Sequence, residues 1–167
     1  NIEKLFDLGV MGMCVPKEYG GAGADPLASA IAIEELSKVC ASTGDILATH
    51  NGLCCDPIMT HGTPEQKAKY LAPCCSGEQT VSFAFTEPET GSDPKMLKTR
   101  LVKQADGTYK LNGVKRFISN AAYDGPCVLF ALEATEDGKD IVTGLVIDKF
   151  CPGYSISSPW DKIGYKG

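Results

Sequence analysis

The hydrophobic period of the chain changes near Gly77, and that change limits the available folds more than any other feature. Upstream, helix punctuation dominates. Asp25 can cap a helix whose first position, Pro26, needs no donor, and Ala30, Ile33, Leu36 and Cys40 follow at helical spacing, which predicts a helix ending near Cys40. A second helical stretch is expected from about Thr43 to Met59, kinked or ended by Pro57 and stopped at Gly62. Thr63-Pro64-Glu65-Gln66 has the pattern of a capping box, so a third helix should run to about Ala72, where Pro73 should stop it.

Downstream the period becomes two. Thr80–Thr86, Lys98–Gln104, Tyr109–Leu111, Val114–Ser119, Cys127–Glu133, Ile141–Asp148 and Tyr154–Ser157 each read as short strands, with hairpin signals at Asp106-Gly107 and Asn112-Gly113. Segregated elements of this kind predict an α+β fold: an N-terminal helical domain over residues 1–78, followed by an antiparallel β-barrel or sandwich over residues 79–167.

Composition then removes whole classes of function. With 16 Lys and Arg against 21 Asp and Glu in 167 residues, a net charge of −5, the chain presents no broad positive field to a phosphate backbone, so nucleic acid is not an expected partner. No apolar run approaches the roughly 18 residues that span a bilayer, and Asn1-Ile2-Glu3-Lys4 lacks the order of a secretion signal, so no membrane association is expected. The sequence begins without Met and stops at Lys166-Gly167 just after the turn-like Lys162-Ile163-Gly164-Tyr165, which suggests a piece of something longer. Neither Cys54-Cys55 nor Cys74-Cys75 has metal-ligand spacing, so no metal is expected, and the eight cysteines read as buried, reduced thiols of a cytosol-like compartment.

Familiar catalytic patterns are missing. No Gly-x-Gly-x-x-Gly follows a strand, no Gly-x-Ser-x-Gly elbow occurs, and His50 and His61 lie across a helix break, where they read as partly exposed polar residues. The unusual segment is Phe83 to Pro94, which leaves an apolar strand and enters a loop dense in hydroxyls and carboxylates. Backbone amides around Thr90-Gly91-Ser92 could form a concave nest for a phosphate, and the same residues could equally form an ordinary turn between strands.

Ala84-Phe85-Thr86-Glu87-Pro88-Glu89-Thr90-Gly91-Ser92-Asp93 resembles the first signature of the acyl-CoA dehydrogenase family. Asn112 through Asn120 looks like that family's segment running into Trp-Ile-Thr-Asn, here with Phe117 and Ser119 substituted. Val15 through Gly23 is similar to its Pro-x-x-Tyr-Gly-Gly-x-Gly stretch, and His61 through Lys67 to its helix-linking loop.

The resemblance implies an enzyme that uses FAD to dehydrogenate an acyl-CoA thioester to the trans-2-enoyl-CoA, of the short-chain, butyryl-CoA-like kind, passing electrons to an electron-transfer flavoprotein. It implies cofactor contacts at Phe83, Phe85, Thr86, Phe117, Ile118 and Ser119, with Gly91 and Ser92 near the FAD pyrophosphate and Ser92 also near the acyl-CoA. The residue types are suited to holding a flavin, since Phe117 could wall one face of the ring and the Thr86 and Ser119 hydroxyls could meet its polar edge. Without the motif, Phe83 and Phe85 would read as plain β-domain core. Lys139 matches a loop bordering the CoA arm in relatives, and is otherwise a solvated surface lysine.

The family further implies a homo-oligomer, a tetramer, placed in bacterial cytoplasm or in the mitochondrial matrix. Its catalytic base is a Glu of a C-terminal helical domain expected to lie outside this sequence, so the fragment alone should be inactive, with no catalytic residue of its own. Glu87 matches a structural position, not the base. Phe85 and Thr90 add bulk relative to the family pattern. Two other readings remain open here: an acyl-CoA oxidase of the same fold, and a non-catalytic binding module.

Overall fold

A computed structural model describes residues 2–149 and 151–164 of the chain. The helical part comprises α1 (Ile2–Asp7), α2 (Pro26–Val39), α3 (Ala41–Ala48), α4 (Asp56–His61) and α5 (Pro64–Ser76), with a 3-10 turn at Lys17–Tyr19 and a π-helical stretch, Thr49–Cys55, between α3 and α4. The sheet comprises β1 (Ser82–Ala84), β2 (Arg100–Lys103), β3 (Tyr109–Asn112), β4 (Pro126–Ala134) and β5 (Asp140–Asp148).

The local signals that satisfy backbone groups are realised. Asp25 Oδ1 accepts from the Ala28 amide at 2.8 Å, filling one of the orphan donors at the start of α2. The capping box of α5 closes in both directions, Gln66 N–H to Thr63 Oγ1 at 3.3 Å and Thr63 N–H to Gln66 Oε1 at 2.9 Å.

Pro73 does not end α5. The helix runs on to Ser76 and stops at Gly77, whose φ of 93° is left-handed and free of strain only for glycine. Pro73 removes a single amide, while its carbonyl gains Gln79 N–H at 3.1 Å and Ser76 Oγ–H at 3.3 Å. The last turn also buries Cys74, whose carbonyl is met by His50 Nε2 at 2.9 Å. The stretch expected as one helix around Pro57 is split in three. Widening to a π-helix before α4 brings the Asp56 amide onto the carbonyl of Asn51, five residues back, and leaves Pro57 in the first turn of α4, where a missing donor costs least.

The sheet is mixed, and it is open where a barrel or sandwich of antiparallel strands was expected. β4 is its centre: β5 pairs antiparallel along all of it, whereas β1 (Ala84 opposite Leu129) and β2 (Arg100 opposite Leu132) pair parallel to it, one after the other along its other edge. The reason is connection length. Only β2–β3 and β4–β5 are joined by short turns, and the long excursion from β1 to β4 is a crossover of the kind that parallel pairing needs. Asp106-Gly107 sits in the β2–β3 turn, as its sequence suggests, with the Gly107 amide bonded to the Gln104 carbonyl. Asn112-Gly113 makes no hairpin, and neither Val114–Ser119 nor Tyr154–Ser157 is a strand. Of the terminal segment, Tyr165–Gly167 lies outside the described residues.

Three apolar clusters hold these parts together. Val15, Cys54, Cys55, Ile58, Tyr70, Leu71 and Cys74 of the helical part close onto Val81 and Val128, on one sheet face. Ala84, Leu101, Cys127, Leu129 and Ala131 form a second cluster, and Leu5, Met11, Ile46 and Leu47 a third within the helices. Asn51 ties the N-terminal loop down: its Oδ1 accepts from Gly12 N–H at 2.6 Å and its Nδ2 donates to the Val10 carbonyl at 3.0 Å. The described cysteines are all free thiols, and burial pushes Cys74 up to about 12 and Cys75 to about 11. His50 is fully buried, contrary to the partly exposed position expected, because the π-helical turn rotates it inward against the α5 carbonyl of Cys74.

Candidate functional site

Leaving β1, the chain turns back on itself within four residues. Glu87 and Thr90 exchange backbone bonds, at 2.8 Å and 3.3 Å, and Thr90 Oγ1 donates to the Asp93 carbonyl at 2.8 Å. The turn is anchored by the Glu87 carboxylate, which is almost fully buried. It accepts from Lys98 N–H (2.5 Å), Thr99 N–H (3.0 Å), Thr99 Oγ1–H (2.5 Å) and Lys115 Nζ (2.7 Å). Burial alone would raise its pKa, but the Lys115 and Thr99 bonds outweigh that and hold it at about 2. Lys115 is itself pulled below its ordinary value by burial, partly offset by Glu87, and it also donates to the Phe85 carbonyl at 3.1 Å.

A second segment is fastened to the first. The Arg116 amide donates to the Thr86 carbonyl at 2.8 Å, so residues 113–120 wind over the end of β1 instead of forming the strand that alternation suggested. This path requires left-handed backbone at Phe117 (φ 59°) and Asn120 (φ 63°). A phenylalanine there costs on the order of 1–3 kcal/mol, which the surroundings must offset. They do so through Asn120, buried with its Nδ2 near the Val81 carbonyl, and through Lys149, whose ammonium donates to the carbonyls of Asn120 and Tyr123. Phe117 is left 57% exposed, packed edge-on against Trp160 with ring centres 5.4 Å apart.

Gly113 has a steric role at this junction. A Cβ there would stand 2.7 Å from Thr99 Cα and 2.2 Å from Thr99 Oγ1, the hydroxyl that Glu87 accepts from. Gly113→Ala should therefore displace Thr99 and cost about 1–3 kcal/mol, seen as a lower urea midpoint. An unchanged midpoint would show that the backbone yields freely there.

The residues singled out from sequence do not all come together. Phe85 and Thr86 meet the second segment through their carbonyls, which accept from Lys115 Nζ and Arg116 N–H, and the Thr86 methyl lies beside Gly91, 3.5 Å from where its Cβ would be. Gly91 and Ser92 are exposed, and Ser119 is exposed with its hydroxyl 3.3 Å from Asp45 Oδ2 of α3. Phe83 and Phe85 are half-buried in a cluster with Phe130 of β4, at 5.3 and 5.5 Å between ring centres, while Ile118 packs with Ala84, Leu101 and Leu129. Lys139 stands apart in the β4–β5 turn, its side chain 80% exposed and paired with Asp137 at 2.8 Å. Near this turn a groove of about 410 Å³ is lined by Lys103, Tyr109, Glu133, Thr135, Glu136 and Ile141.

Sequence reasoning missed Arg116, Trp160 and Asp45. Arg116 lies inside the matched segment but at a position for which the resemblance implied no role, and Trp160 and Asp45 lie outside any motif, so only the folded loop brings them to Phe117 and Ser119. Among the described residues no group of three or more His, Cys, Asp or Glu is placed to hold a metal ion, and no helix is long and apolar enough to cross a membrane.

A helical domain packed on a mixed sheet, with an aromatic and hydroxyl-bearing surface where two loops cross the end of β1, defines a two-part α+β protein. The chain belongs to the acyl-CoA dehydrogenase family: residues 1–78 match the acyl-CoA dehydrogenase N-terminal domain and residues 82–167 the middle domain. It is 42% identical over 166 residues to a short-chain specific acyl-CoA dehydrogenase of Clostridium acetobutylicum, covering 99% of this chain and 44% of that protein. A chain solved in the study of the electron transferring flavoprotein of Acidaminococcus fermentans superposes with a TM-score of 0.89 at 39% identity, over 98% of this chain and 43% of that one. The acyl-CoA dehydrogenase of Bacillus anthracis, solved in complex with FAD, does so at 0.88 and 34%, over 98% and 28%. The chain thus spans less than half the length of the curated relatives it matches.

Proposed function

We propose that this chain forms the flavin-holding part of an FAD-dependent acyl-CoA dehydrogenase that converts an acyl-CoA, of short chain, to the trans-2-enoyl-CoA. The observation that carries the reading is the 2.8 Å bond from Arg116 N–H to the Thr86 carbonyl, which joins two segments distant in sequence into one surface. That surface has what an isoalloxazine needs: an exposed ring, Phe117, held by its own strained backbone, with the hydroxyls of Thr86 and Ser119 nearby and an exposed Gly91-Ser92 turn for a phosphate. The relative solved with FAD supports the cofactor, and the C. acetobutylicum relative supports the short acyl chain.

When bound, the flavin supplies the acceptor for the hydride that leaves the acyl β-carbon. The chain's own residues hold and orient it. Phe117 covers one face and excludes water from it, Thr86 and Ser119 meet its polar edge, and Gly91 and Ser92 admit the pyrophosphate. The proton at the α-carbon needs a carboxylate base within hydrogen-bond reach. Glu87 is the one buried carboxylate among the described residues, and its oxygens are already committed to amides, a hydroxyl and an ammonium, so the base is assigned to polypeptide outside this chain. The work on an electron transferring flavoprotein that yielded a close structural relative supports such a flavoprotein as electron acceptor, and a homo-oligomer completes the proposal.

The test is cofactor titration of the intact protein that carries this segment. It should turn yellow with FAD, absorbing near about 450 nm. Replacing Thr86 and Ser119 together by Ala should weaken FAD binding about 30-fold, two neutral hydrogen bonds at about 1 kcal/mol each. A colourless parent, or an affinity unmoved by the double substitution, would refute the assignment.

A further inference from the structure

Among the described residues, Arg116 is a cation of this surface that no carboxylate neutralises. Its neighbour Lys115 is paired with Glu87 at 2.7 Å, whereas among the described residues Arg116 has no carboxylate within ion-pair distance. Its guanidinium lies instead against both rings of the edge-on Phe117–Trp160 pair, Cζ 4.7 Å from the centre of Phe117 and 4.6 Å from that of Trp160. Its Nε is buried and has no hydrogen-bond partner. A guanidinium is weakly hydrated and planar, so it stacks on these rings where an ammonium would hold its water. The three-way contact holds the Phe117 ring in place, and it also puts a half-buried positive charge with no carboxylate partner against the ring that would face a ligand.

We propose that Arg116, clamped by Trp160, supplies the positive charge that favours the reduced, anionic isoalloxazine over the oxidised one. The inference rests on the flavin reading above. Taking up two electrons and one proton turns a neutral isoalloxazine into a hydroquinone with one negative charge, the electrons coming from the acyl thioester in turnover or from dithionite in the test. A cation held at fixed distance behind the ring stabilises only the charged product, so it acts on the ratio of reduced to oxidised affinity and not on uniform binding. Trp160 acts through Arg116, by keeping the guanidinium on the ring.

The experiment is a dithionite titration against a reference dye, on the intact FAD-loaded protein and its variants, with oxidised-FAD affinity measured alongside. Arg116→Gln should lower the reduced-to-oxidised affinity ratio about tenfold, a fall of about 30 mV in the two-electron midpoint. Oxidised-FAD affinity should change by less than about threefold, and Arg116→Lys, which keeps the charge but stacks less well on the rings, should retain part of the parent potential. Arg116→Met, which keeps an apolar stem against the rings, gives the same comparison if the Gln variant is unstable. A midpoint unmoved in a variant that still binds FAD overturns this role while leaving the flavin site standing, and so does an equal fall with Lys. A parent that never takes up FAD removes the flavin reading and this inference with it.

Discussion

Glu87→Ala is expected to destabilise the fold by about 3–5 kcal/mol, the range found when one partner of a buried ion pair is removed. The size follows from what is left behind. Lys115 would keep its charge with only the Phe85 carbonyl as a partner, and the amides of Lys98 and Thr99 and the Thr99 hydroxyl would lose their acceptor in a site closed to water. Glu87→Gln should be milder but still costly, since its amide NH2 would face donors where an oxygen now accepts. Removing both charges, with Glu87→Gln and Lys115→Met together, should recover part of the loss, because the orphaned ammonium is then gone. Urea unfolding at neutral pH reads all three. A loss below about 1 kcal/mol for Glu87→Ala would mean that water enters and satisfies the network. The same residue sets an acid limb: its folded carboxyl sits at about 2, below the ordinary value of 4.5, so its contribution is complete above pH 4.5 and is lost as the pH falls through 2.

Much of the helical half was legible because its signals are local. Asp25 with Pro26, and Thr63 with Gln66, satisfy amides within one turn of themselves, and nothing distant needs to cooperate. Pro73 shows where locality fails: the rule against interior proline is real, but the burial of Cys74 and the His50 bond to its carbonyl reward the extra turn from outside the helix. The β half fails in the same way and more often. Alternation in Val114–Ser119 is genuine, yet the Arg116 amide there is claimed by the Thr86 carbonyl, and Phe117 turns left-handed. Asn112-Gly113 looks like a hairpin, but its glycine is required by the close approach of Thr99. Parallel pairing of β1 with β4 could not be seen at all, since it depends on a crossover closing and not on any residue near the strands. The two motif segments, one holding Thr86 and the other Phe117, were visible in sequence. What tied them into one surface, and what placed Trp160 and Asp45 beside it, was the path of the loop.

His50 should make the fold acid-labile in a higher window than Glu87 does. Its Nε2 lies 2.9 Å from the Cys74 carbonyl, which can only accept, so Nε2 carries the proton and Nδ1 is bare. Nδ1 is buried with no partner, and the ring is packed edge-on against Phe6 at 5.9 Å. Protonating it would place a cation and an unmet donor in an apolar site, and burial accordingly drives the imidazole down from 6.5 to about 4, against a small opposing pull from the Cys74 carbonyl. The folded value lies below the unfolded one, so between those two pH values the unfolded chain binds the extra proton. Stability should therefore decline as pH falls from 6.5 towards 4 and level off below that, by about 3 kcal/mol in all. His50→Gln offers a clean comparison: its amide nitrogen can reach the same carbonyl, and it does not titrate. Urea midpoints at pH 7 and pH 4.5 should differ strongly in the parent and much less in the variant. Equal pH dependence in both would place the acid sensitivity elsewhere, with the carboxylates, and would mean that the pocket around Nδ1 admits water.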